Sequence, residues 1–172
     1  MDDHLSSLYE TDSLIWTETQ IALLRARKFD QLDLENLIAE LEYQVQQDKR
    51  SVASHLRGLI MHLLKYQFQP QRRTQSWTST IIEHRHKILD ALEDMPSLRP
   101  QIDEYVARNY PKARKSAAQE THMPPETFPQ ENPYTVEQLL DHDFFPAQTK
   151  KPLIPDGING FRIWLRGQDL NL

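Results

Sequence analysis

Residues 33–70 read DLENLIAELEYQVQQDKRSVASHLRGLIMHLLKYQFQP. Within them Leu34, Leu37, Ile38, Leu41, Val45, Val52, Leu56, Leu59, Leu63 and Tyr66 follow one another at helical spacing. Steps of three and four place apolar side chains on one face of an α-helix. Asp33 stands where a side-chain oxygen can cap the first turn. Pro70 ends the run, because proline disfavours helical geometry at the preceding residue and has no backbone N–H to donate. Asp48 fills the slot between Val45 and Val52, and a polar residue there predicts a break, a kink or a wet seam.

Working outward from this long helix, the FDQLD turn precedes it and QPQRR follows it. Upstream, Asp12 and Ser13 are N-cap residues, and Leu14, Thr17, Ile21 and Leu24 form the stripe of a first helix over about 12–28. Downstream, the short connector implies an antiparallel neighbour. That third helix runs near Ser76 to Asp94, with Trp77, Ile81, His84, Ile88, Leu92 and Met95 on one face, and Pro96 closes it. Ser97 can cap a fourth helix carrying Leu98, Ile102, Tyr105 and Val106, continuing through Lys112 to Glu120, with Pro111 expected to kink or divide it. Pro124, Pro125, Pro129 and Pro133 then mark an extended, rigid connector. Thr135 and Gln138 make a capping box for a short last helix to about Phe144. With no strand-period run, the fold class is all-α: an antiparallel bundle of about four long helices plus a short C-terminal helix, in one domain over 1–146 and a tail over 147–172.

Composition narrows the function classes. The 172 residues contain no cysteine, which excludes disulfides, thiolate metal sites and cysteine nucleophiles, and which fits a cytoplasmic protein. No apolar run approaches membrane-spanning length, and the N-terminus MDDHLSSLYETDS lacks the basic and apolar regions of a secretory leader. A net charge of -5 argues against a general nucleic-acid binder. The charge is distributed in blocks. Asp30, Asp33, Glu35, Glu40, Glu42 and Asp48 sum to -6 with no Lys or Arg among them, whereas Lys65, Arg72, Arg73, Arg85 and Lys87 against Glu83 sum to +4. Opposite blocks on consecutive elements are expected to face each other within the fold or across a dimer, and the sharper alternative is an anion site at the basic block.

The segments LENLIAELE (34–42), SHLRGLIMHLLKYQFQPQRRTQSW (54–77), SLRPQIDEYVARNYPKARKSAAQET (97–121) and PETFPQENPYTVEQLLDHDFFP (125–146) resemble one bacterial family, the domain of unknown function numbered twenty-nine. The resemblance covers about Leu8 to Pro146, and HLLKYQFQP is its most specific stretch. It implies an all-helical bacterial domain with no established activity and no catalytic residue to carry over. Tyr66, Arg73 and Trp77 occupy the family's aromatic, Arg and Trp positions, and Pro111 departs from its pattern. Beyond Pro146, the closing WLRGQDLNL resembles the peptide read from a transfer-RNA gene in an unintended frame, so the tail is expected to be a spurious extension, disordered and dispensable.

Three constellations could carry chemistry. His55, His62 and His84 lie on or beside predicted apolar faces, and a bundle can place metal ligands that way. No HExxH or inward ExxH spacing accompanies them, so buried histidines bonded to neighbouring groups are expected, with no metal. Asp33, Glu40, Asp48 and His62 are the inward-capable titratable set, and GxSxG, Walker and GxGxxG motifs are absent. Finally, His62, Lys65, Arg72, Arg73, Trp77 and Arg85, with Tyr66 and Phe68, form a basic and aromatic cluster. Such a cluster can bind phosphate or stack on bases, or else join two helices where Trp77 packs. The expectation is a non-catalytic interaction or accessory module without a cofactor, whose partner is protein, either itself or another chain. The alternatives are a histidine-containing metal binder or hydrolase, and nucleic-acid or anion binding through the Lys65–Lys87 block.

Overall fold

The computed structural model describes residues 2–147; the tail read above, from residue 148 on, lies outside the described residues. Six α-helices occur among them, four of them long, and no strand: α1 Asp2–Thr11, α2 Ser13–Arg25, α3 Leu34–Phe68, α4 Gln75–Asp94, α5 Ile102–Thr121 and α6 Val136–Leu140. Contacts divide the chain into two units, one ending at Ser51 and one starting at Val52. The division falls three residues after Asp48, where the apolar stripe has its polar gap, yet α3 continues unbroken through it. Asp48 is half-buried and accepts from Gln44 one turn back at 3.0 Å. The polar slot therefore marks a change of packing without interrupting the helix.

In the first unit Trp16 is the buried centre, 1% exposed. Its indole N–H donates to Asp33 Oδ2 at 3.1 Å, and Tyr9 meets its ring edge-on at 4.9 Å while donating to Glu40 at 2.7 Å. The Glu40 bond raises the Tyr9 pKa, since the carboxylate holds the phenol proton. Asp33 also caps α3 through Asn36 N, and its own N–H is taken by the buried Gln20 at 3.0 Å. Three expectations need correction. The helix α1 precedes the one expected first. On α2 the buried residues are Trp16 and Gln20, while Leu14, Ile21 and Leu24 of the expected stripe are 68%, 41% and 40% exposed. An indole offers more apolar area than any one of them and brings a polar tip that Asp33 satisfies. The helix also stops at Arg25 rather than about 28, because Arg27 adopts φ 55° and the amides of Arg27 and Lys28 return to Leu24 and Leu23. This is a left-handed C-terminal cap without the usual glycine that would announce it.

In the second unit the rest of α3 packs antiparallel to α4, with Lys65 beside Trp77 and His55 beside His84. Then α5 returns, so that Glu120 meets Lys65 and Thr121 O meets Gln69. Leu56, Leu59, Ile60, Leu63, Ile81 and Ile88 are fully buried where they meet. Thr74 caps α4 by accepting from Trp77 N at 3.3 Å. Pro96–Gln101 forms a 3-10 turn that opens at Pro96 after Met95, so Ser97 lies inside the turn rather than capping the fourth helix, and α5 begins at Ile102. Pro111 does not divide α5. The carbonyl it leaves unpaired belongs to Ala107, which is exposed and open to water.

The proline-rich segment is packed rather than a bare spacer. Tyr110 donates to Pro129 O at 2.7 Å, Arg114 to Phe128 O and Pro125 O at 3.1 and 2.7 Å, and Phe128 and Tyr134 are buried. The capping box at Thr135 and Gln138 forms as read, but α6 ends at Leu140 rather than near Phe144. The cause is Arg85, 0% exposed, whose guanidinium donates to Leu139 O, His142 O and Phe144 O at 2.9, 2.9 and 3.0 Å. Those carbonyls are available to one side chain only if the backbone leaves the helix. Replacing Arg85 by Met should therefore undock residues 139–144 and cost about 3 kcal/mol in denaturant unfolding, given that bonds to a charged group contribute about 1.5–3 kcal/mol each and local undocking limits the sum. Hydrogen exchange of that segment checks it, and unchanged protection would refute it.

Candidate functional site

The structure brings two of the three histidines into direct contact. His55 Nδ1 and His84 Nδ1 lie 3.1 Å apart, so one donates and the other accepts. His62 instead turns its Nδ1 to Gly58 O at 2.9 Å, with its ring 6.0 Å from that of His84. The close approach depends on Gly58, because a Cβ there would stand 2.4 Å from His84 Nε2 and 2.6 Å from its Cε1. Sequence reading named the three histidines but not the glycine between them, whose signal was only a glycine inside a strong helix pattern. All three rings are half-buried. Burial lowers the His62 pKa, with the Gly58 carbonyl opposing and Lys65 and Glu120 adding smaller, opposite effects. Burial lowers that of His84 too, helped by His55 and His62 and opposed by Glu83. Among the described residues no three His, Asp or Glu side chains are grouped to hold a metal ion.

The basic and aromatic cluster separates into different tasks. Lys65, 6% exposed, pairs with Glu120 at 2.5 Å and lies 4.7 Å over the half-buried Trp77 ring. Arg73 stacks 3.9 Å over Tyr66 and donates to Tyr66 O at 2.8 Å, in the last turn of α3, where a cation complements the helix dipole. Arg85 is the clamp described above, and Arg72 is exposed. As for the titratable set, Asp33, Glu40 and Asp48 have their partners in Trp16, Tyr9 and Gln44, and His62 has Gly58. The only ion pairs among the described residues are Lys65–Glu120 and Arg108–Glu104, so no carboxylate of the Asp30–Asp48 block forms one.

The feature that sequence reading missed lies in the first half of α3. Val52, Leu56, Leu59 and Leu63 of the stripe are 0% exposed, but Leu34, Ile38, Leu41 and Val45 of the same stripe are 55%, 55%, 62% and 49% exposed. In the first unit α2 and Tyr9 approach α3 at Asp33 and Glu40, to one side of that strip. Phe29 and Tyr43 are also open, at 59% and 55%, and a shallow depression of about 640 Å³ includes Leu41, Glu42, Tyr43 and Val45 in its wall. Periodicity could show that this face is apolar, but not that it lacks cover.

The structure is an all-α domain in which Lys65, Arg73, Arg85, His55, His62 and His84 are engaged within the fold and in which an apolar strip lies open. The chain matches a family model described as Domain of unknown function DUF29 over residues 8–145, and it belongs to that family. No curated protein and no solved structure matches it. No helix among the described residues is long and apolar enough to cross a membrane.

Two outcomes follow from the histidine group. Gly58→Ala should destabilise by about 1–3 kcal/mol from overpacking, against the roughly 1 kcal/mol that alanine gains in an unhindered helix. The penalty should vanish in the His84→Ala background, and an equal penalty there would refute the contact. Second, His62 and His84 bind protons less readily folded than unfolded. Their contribution to stability is full above the unfolded value near pH 6.5 and is lost as pH falls through the lower folded values. The melting temperature should drop as pH falls from about 6.5 to 5, above the carboxylate range, and His84→Ala should flatten that slope. A flat wild-type profile would count against it.

Proposed function

We propose that this chain is a protein-interaction module that receives a helix of its partner on the open first half of the α3 stripe. One contrast carries the proposal: on a single helix face, Val52, Leu56, Leu59 and Leu63 are 0% exposed, whereas Leu34, Ile38, Leu41 and Val45 at the same spacing are 49–62% exposed, with Leu37 and Tyr66 of the stripe half-buried. Full burial of one aliphatic side chain stabilises by about 1.5–3 kcal/mol, so four half-open ones leave several kcal/mol available to whatever covers them. An amphipathic helix with anchors at i, i+3 or i+4, and i+7 matches such a strip in shape. The histidines add no reaction to this reading, since His55, His62 and His84 each have a partner within the second unit.

The double variant Ile38→Gln with Leu41→Gln keeps good helix formers and removes the apolar anchors. It should leave helicity intact and unfolding free energy within about 0.5 kcal/mol, as at exposed positions. Crosslinks between residues 34–45 and a partner, mapped by mass spectrometry on the wild type, should disappear. A stability loss of several kcal/mol, typical of core truncation, would place the strip in the chain's own core and overturn the proposal.

A further inference from the structure

From Asp30 to Asp48 the chain carries six carboxylates and no Lys or Arg. Asp33 and Glu40 are engaged by Trp16 and Tyr9, which leaves Asp30, Glu35 and Glu42 exposed. By the helical period, Glu35 and Glu42, seven residues apart, line one edge of the strip formed by Leu34, Ile38, Leu41 and Val45, Lys49 continues that row past the strip's end, and Asp48 lies at the other edge. The whole segment to Ser51 holds eleven acids and five bases, a net -6, against fourteen acids and fifteen bases, a net +1, in the remainder. An apolar strip with carboxylates along its edges selects a partner of opposite sign.

We infer that the occupant of the strip is a basic amphipathic helix, with its apolar face on Leu34, Ile38, Leu41 and Val45 and its Lys or Arg side chains beside Glu35 and Glu42. The inference rests on the docking reading above and adds the sign of the partner's charge. Leu34, Ile38, Leu41 and Val45, each about half exposed, leave open on the order of 400 Å², close to the apolar share of one side of a standard interface of roughly 800 Å². A second copy fits less well. Laid antiparallel, with Leu34 against the other copy's Val45 and Ile38 against its Leu41, it brings Glu35 within two residues, about 3 Å along the axis, of the other Glu42. Laid parallel, it sets each of these glutamates beside its own counterpart, and like charges at such spacing destabilise. The chain's own cations offer little relief, because Lys65 is closed on Glu120, Arg73 on Tyr66 and Arg85 is buried on three carbonyls, the exposed Arg72 lies beyond the end of α3, and Lys49 lies four residues past Val45, so that neither alignment sets it opposite Glu35 or Glu42.

The test titrates the full chain with three synthetic helical peptides of about 20 residues that share one leucine face and differ only in a polar face of Lys, Gln or Glu. The Lys peptide should bind at least tenfold more tightly than the Gln peptide, with the Glu peptide weakest, and raising salt should compress the series. Glu35→Lys with Glu42→Lys should invert the order, and Ile38→Gln with Leu41→Gln should abolish binding of all three. Equal affinities for the three peptides would overturn the charge inference and leave the docking face standing. Binding unaffected by Ile38→Gln with Leu41→Gln would overturn both. A dimer in sedimentation that Leu41→Gln dissociates would give the strip to a second copy and overturn the basic partner.

Discussion

A helix of 35 residues is about 52 Å long, and α3 is apolar along one face for most of that length. Water cannot be kept from such a stripe by the helix itself, so the rest of the chain has to supply cover. From Val52 to Phe68 it does so. The helices α4 and α5 lie alongside, and the small residues Ala113, Ala117 and Ala118 of α5 are all buried. The missing Cβ of Gly58 lets the His84 ring come closer than any side chain would allow. Before Asp48 the same stripe continues with Leu34, Ile38, Leu41 and Val45, and there the cover stops.

The second requirement is polar. After α5 the chain crosses a proline-rich stretch with few helical bonds of its own, and buried backbone groups need partners. Tyr110, Arg114 and Arg85 provide them by donating to carbonyls of residues 125–144. Arg85 does this from a fully buried position, where desolvation lowers its pKa and nearby Asp141 and Asp143 partly offset that cost. Together with Lys65 on Glu120 and Arg73 on Tyr66, it turns three of the five cations of the basic block into internal structure. The exposed carboxylates of the first unit have no such engagement. A chain whose net charge is modest thus keeps a strongly acidic surface segment beside an apolar one.

Much of the helical architecture was legible in local signals. Pro70 and Pro96 ended helices, the Thr135 and Gln138 box started one, and the stripe from Leu34 to Tyr66 announced a single long helix, because caps, prolines and the 3.6-residue period act within a few residues of chain. Stops without a residue-type signal were not legible, as at Arg27, where a non-glycine takes the left-handed conformation, or beyond Leu140, where a side chain 54 positions away takes the carbonyl. The candidate residues were named in part, His55, His62, His84 and the Lys65–Arg85 cations among them, but their tasks were not. What the sequence by itself determined is which faces are apolar, where charge of each sign accumulates, and where most helices begin and end. Only the tertiary structure decided that Trp16 rather than Leu14 is buried, that Gly58 seats His84, that Arg85 holds the C-terminal carbonyls, and that half of one uniform stripe is left open. Periodicity fixes the direction in which a side chain points, but whether anything stands there depends on contacts between residues far apart in the chain.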